Sequence, residues 1–152
     1  MVFRSFILVL SAFLLAGQPV SPIKDWNSVR IKLSRESGFC VCAAYDVEIQ
    51  GNGTVRYNGK YAVRVLGEQF GQTTQAELEE LVADFVRADL GKLRPEYGHI
   101  MFDAPSYKFS LSIDGSVKIE VVDYPLVRET PAAVTALEDA IDRVAHTAQW
   151  VR

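Results

Sequence analysis

The chain has 152 residues, 49% of them hydrophobic and 23% charged, with a formal net charge of −3. That length suits one globular domain, and the mixture excludes a disordered tail, a collagen-like repeat and a disulfide-dense miniprotein. A zinc site of four soft ligands would consume all of its two cysteines and two histidines. The acidic balance lacks the basic face that general nucleic-acid binding needs, so no metal, cofactor or nucleic-acid partner is expected.

The chain opens with one positive charge at Arg4, then the apolar run SFILVLSAFLLA over 5–16, then the breakers Gly17, Gln18 and Pro19. The run is short of the about 20 residues needed to span a bilayer, and its order is that of a secretory leader. The expectation is removal of residues 1–16 (cleavage at 16–18), a linker over 17–27, and one domain over 28–152. Gln18 stands where a bacterial lipoprotein needs cysteine, so no lipid anchor is expected. The mature chain, with no further membrane-length run, is expected to be secreted or periplasmic.

Val29, Ile31 and Leu33 alternate with Arg30, Lys32 and Ser34, the period-2 pattern of a half-buried strand. Tyr45, Val47 and Ile49 repeat the pattern. Asn52-Gly53 predicts a tight type I′ turn into a return strand through Val55 and Tyr57. A further turn at Asn58-Gly59 would lead to a fourth strand over Tyr61–Leu66. Thr74 followed by Glu77 is a capping box, and Leu78, Leu81, Val82, Phe85 and Val86 then form a helical apolar stripe ending before Gly91.

The second half follows the same plan. Tyr107, Phe109, Leu111 and Ile113 alternate, Asp114-Gly115 turns, and Val117, Ile119 and Val121 return. Thr130-Pro131 predicts an N-cap with proline in the first turn, ahead of a stripe through Val134, Leu137, Ile141, Val144 and Ala148. One apolar face per strand and one stripe per helix predict an α+β domain. Its antiparallel sheet of about six strands carries two helices on one face, in the order ββββαββα.

Several residues in this frame carry a family resemblance: Ile31-x-Leu33-x-Arg35, Cys42-Ala43-Ala44-Tyr45, Gly53-x-Val55-x-Tyr57-x-Gly59, Asp103-Ala104-Pro105, Leu137-Glu138 with Ile141-Asp142, and Trp150. Together they resemble domain-of-unknown-function family 6438, from about Val29 to Trp150. The resemblance implies an exported bacterial α+β module and brings no activity with it. The family pattern C-x-G-x-C-P departs here, with Gly38 at the first cysteine position, Cys40 at the glycine and Ala43 at the proline. A pairing carried over from relatives is therefore not assured.

Two groups are candidates for chemistry. Cys40 and Cys42 are readily oxidised in an oxidising compartment. A regular strand would hold their Cα atoms about 6.6 Å apart, a poor disulfide geometry. A bond therefore needs a tight turn, and the pair is either a short structural disulfide, two half-buried thiols or a thiol–disulfide exchange pair. Glu96, Tyr97, His99 and Asp103, in the long connection 92–105, combine a histidine with two carboxylates. A solvated loop is the simpler account of them. His146 suits a helix C-terminus, and Tyr45, Tyr57 and Tyr107 fall with the apolar faces. With no catalytic constellation, the expectation is a non-enzymatic envelope module binding an unknown protein or small molecule. The alternatives are a redox protein using Cys40 and Cys42, and an inhibitor of an exogenous hydrolase using a hairpin tip near Asn52 or Asp114.

Overall fold

The computed structural model describes residues 23–99, 101–126 and 130–152; the expected leader lies outside them. Seven strands in this part form one sheet: β1 Arg30–Glu36, β2 Ala44–Gln50, β3 Thr54–Tyr61, β4 Gly67–Gln72, β5 Glu96–Tyr97, β6 Ser106–Ile113 and β7 Ser116–Asp123. Their order across the sheet is β4-β3-β2-β1-β6-β7-β5. Three helices accompany them, α1 Gln75–Arg87, α2 Ala132–Val144 and α3 Ala148–Val151. The fold is α+β, with two corrections. The two-residue β5 lies between α1 and the second hairpin and runs parallel to β7, so the sheet is mixed. A third short helix follows α2.

Alternation becomes a core through register. Ile31 lies opposite Ile49 on one side and Leu111 on the other, and Leu33 opposite Val47 and Phe109. These side chains are buried on the face covered by the helices, while Arg30, Lys32, Glu48 and Arg56 occupy the other face. The helices run antiparallel: Arg143 of α2 reaches Asp84 of α1 at 3.6 Å, and His146 beyond α2 reaches Glu77 at the start of α1 at 3.4 Å. Phe85 of α1 meets Phe109 edge-on at 5.9 Å, and Trp150 of α3 stacks on Tyr57 at 4.9 Å.

The capping box at Thr74 and Glu77 is formed, and those hydrogen bonds hold the Glu77 carboxyl down at about 2. Leu78, Leu81, Val82 and Phe85 are buried, but Val86 is exposed at the stripe's margin. At the other helix Pro131, not Thr130, occupies the N-cap position, because the Thr130 hydroxyl is bonded to Asp123 instead. Ala148 falls in α3 and is exposed; α2 stops at Val144 and the chain reverses through a left-handed His146 (φ 53).

Two turn expectations are corrected. The β2–β3 loop has three residues, Gly51 to Gly53, closed by the Gly53 N–H donating to the Gln50 carbonyl at 2.9 Å. Gly53 alone has positive φ, where type I′ would require two such residues. Asn58 and Gly59 are not a turn: they continue β3, opposite Asp46 and Tyr45. The fourth strand is Gly67–Gln72, not Tyr61–Leu66. A left-handed Ala62 (φ 49) ends the ladder, and the Val65 N–H donates to the Trp150 carbonyl at 2.9 Å rather than to a strand. Val63 and Val65 alternate because they anchor a loop against the core. The Asp114-Gly115 turn has both residues at positive φ, as its type requires.

Candidate functional site

Two features share the end of the sheet where β1 runs into β2. The first is a buried polar cluster beneath α2. Arg35 continues the apolar face of β1, opposite Tyr45 and Tyr107. Its guanidinium lies 4.4 Å from the Tyr107 ring centre and donates to Asp142 Oδ2 from Nε at 3.0 Å, with Nη2 at 2.8 Å from the same oxygen. Asp142 Oδ1 accepts from the Tyr45 hydroxyl at 2.8 Å and the Thr147 hydroxyl at 2.9 Å. Glu138, one helical turn earlier, is 2% exposed, with Oε2 3.9 Å from Arg35 Nη1. Its other oxygen is buried and has no hydrogen-bond partner among the described residues. Asp123, also buried, accepts from Thr130.

Burial sets the electrostatics of this cluster. It pushes the Glu138 carboxyl up to about 7, against the pull of Arg35 and with help from Asp123, Asp139 and Asp142. It also raises Asp123, and together with Asp142 it raises Tyr45. For Arg35 burial works against the charge, but Asp142, Tyr45 and Glu138 outweigh it and hold the guanidinium above its ordinary range. The arrangement rivets α2 to β1 and β2 and holds a proton near neutrality.

The second feature is the β1–β2 loop. Cys40 and Cys42 are bonded to each other, with Cα atoms 5.1 Å apart. The chain leaves the extended conformation between the strands, which brings the two closer than a regular strand would. Gly38 makes this possible: its φ is +56, and an added Cβ would lie 2.3 Å from the Ala104 carbonyl carbon. The loop is pressed against the segment 103–105, and the Phe39 N–H donates to the Asp103 carbonyl at 2.6 Å. The backbone at Gly38 accepts no side chain, and the partner of Cys42 is Cys40. Around the bond, Phe39 is 63% and Val41 83% exposed, and Phe102 is fully exposed. Tyr61 and Leu66, in and beyond the last residue of β3 at the same end, are also exposed.

The loop residues singled out in sequence are separated by burial. Tyr97 is 4% exposed and pairs with Asp123 in the sheet, with its hydroxyl accepting from the Arg94 N–H at 2.9 Å. Glu96, His99 and Asp103 are exposed. Asp103 has positive φ and contributes its backbone carbonyl to the disulfide loop. Among the described residues, no three histidine, cysteine or acidic side chains are grouped to hold a metal, and no helix is long and apolar enough to cross a membrane.

The buried cluster escaped the sequence reading. Its one local signal was a charge at Arg35 in phase with Ile31 and Leu33, which marks a charged side chain on a buried face. Arg35, Tyr45, Glu138 and Asp142, all among the residues that carried the resemblance, converge here although Arg35 and Asp142 are 107 positions apart. Trp150, another of them, stacks on Tyr57 next to Tyr45.

No curated protein matches the chain. A family model matches residues 29–145, from the start of the sheet to the end of α2. The chain belongs to that family, described as domain of unknown function DUF6438.

Proposed function

We propose that the protein is an exported binding module of the bacterial cell envelope, which captures an apolar polypeptide segment at the loop end of its sheet. The observation that carries this reading is the exposure of Phe39, Val41 and Phe102 on two hydrogen-bonded loops. Exposed apolar side chains gathered together mark interaction surfaces. The loops stand on a stiff base, because Arg35 and Tyr45 are fixed to Asp142 directly below. The Cys40–Cys42 bond supports export, since disulfides persist in oxidising compartments. The hairpin tip at Asn52, at the opposite end, offers polar atoms: its Oδ1 is occupied by the Thr54 N–H at 3.0 Å.

The test is binding of fluorescent peptides, apolar and charged, to the protein and to the double variant Val41→Ser, Phe102→Ser. Apolar peptides should bind the parent and lose about tenfold or more in affinity on the variant. Thermal stability should stay unchanged, because both side chains face solvent. Equal affinity of parent and variant for every peptide would sink the reading.

A further inference from the structure

We infer that the Cys40–Cys42 bond is a thiol–disulfide exchange site that oxidises pairs of cysteine thiols in apolar polypeptide segments; the substrate class rests on the binding surface proposed above. The bond is poorly placed as a staple. A disulfide constrains the unfolded chain by closing a loop, and the effect grows with loop length. This one closes a loop of three residues and joins no two elements, while β1 and β2 are already aligned by six register pairs. It lies at the tip of a loop, both cysteines half-buried and flanked by exposed Phe39 and Val41. A thiolate therefore approaches across an apolar rim. The chain contains only these two cysteines, so opening the bond leaves no other intramolecular partner.

The surroundings distinguish the two sulfurs. The Ser37 carbonyl oxygen lies 2.7 Å from Cys40 Sγ. The bonded sulfur has no proton to donate to it, but a Cys40 thiol would. The carbonyl disfavours a Cys40 thiolate, so a substrate thiolate attacks Cys40 Sγ, the Cys40–Cys42 bond breaks, and Cys42 leaves with the electron pair and takes a proton. The substrate's second thiolate then attacks its own sulfur in the mixed disulfide and expels Cys40, which takes the second proton and donates a hydrogen bond to the Ser37 carbonyl. In sum, a substrate dithiol becomes a disulfide, the protein disulfide becomes a dithiol, and two electrons and two protons pass to the protein.

The test mixes the oxidised full-length protein with reduced peptides carrying two cysteines, set among either apolar or charged residues, and follows both partners by alkylation and intact mass. The apolar peptide should be oxidised one-for-one as the protein gains two alkylatable thiols, about tenfold faster than the charged peptide. Phe102→Ser should slow oxidation of the apolar peptide toward the rate of the charged one. Given a mixed-disulfide donor, Cys40→Ser should capture the peptide on Cys42 faster than Cys42→Ser captures it on Cys40. A bond that stays closed with both peptides and with glutathione overturns the exchange activity, and leaves the binding surface standing if the apolar peptide still binds. Oxidation of both peptides at equal rates overturns the substrate class together with the binding surface.

Discussion

Arg35 and Arg56 carry the same guanidinium on one sheet but face different solvents. On the open face, Arg56 pairs with Glu68, Lys32 lies 3.5 Å from Glu48, and Lys60 bridges Glu36 at 2.5 Å and Asp46 at 2.8 Å. Arg56 and Lys32 are well exposed, water and salt screen their pairs, and each is worth about 0–1 kcal/mol. Beneath α2, Arg35 and Glu138 are nearly sealed from solvent, so each charge depends on its neighbours. Similar residue types decorate one face and hold the other together.

The largest expected effect is on Arg35. Arg35→Met strips the positive charge from between half-buried Asp142 and buried Glu138, which should cost about 3–5 kcal/mol in urea unfolding. A loss below about 1 kcal/mol would erase the contrast between the two faces.

A smaller effect, dependent on pH, is expected at Glu138. Its carboxyl titrates at about 7 in the fold against 4.5 ordinarily, so the folded protein keeps a proton that the unfolded chain has lost. Its contribution is intact below about pH 4.5, declines as pH rises toward 7, and stays reduced above that. Glu138→Gln should therefore stabilise the protein by about 3 kcal/mol at pH 8 and hardly at all at pH 4.5. Thermal melts of parent and variant across that range would show it; parallel profiles would mean that Glu138 is ionised in the fold. Asp123 is raised by burial in the same sense, and its repulsion of the Glu138 carboxylate is part of what the variant removes.

The smallest effect sharpens the comparison from the other side. Arg56→Ala should change stability by no more than about 0.5 kcal/mol, and moderate salt should remove what remains. A larger, salt-resistant loss would show that the open face is covered in solution.

Much of the frame was legible. Local periodicity marks β1, β2, β6 and β7, and the Thr74 box starts α1, because those signals act over a few residues. β4 was displaced because GEQFGQ is an edge strand held by backbone pairing, with Phe70 exposed and no apolar alternation to display. β5 was missed because two residues parallel to β7 have no period at all. Of the candidate residues, the cysteine pair was visible as chemistry, but its bonding was not, because the turn that brings Cys40 and Cys42 together has no period to display. The loop quartet looked like a cluster only because its members are close in sequence.

The amino-acid order by itself determined which side chains turn inward, where the helix with the capping box begins and where the second hairpin folds, since short-range sterics and hydrogen bonds settle these. Only the assembled sheet decided that Arg35 meets Asp142 and Glu138, and that the Phe39 loop meets Asp103. Those partners are separated by tens of residues or more and are joined by the order of strands. Their charges and exposure follow from the water that packing removes or leaves behind.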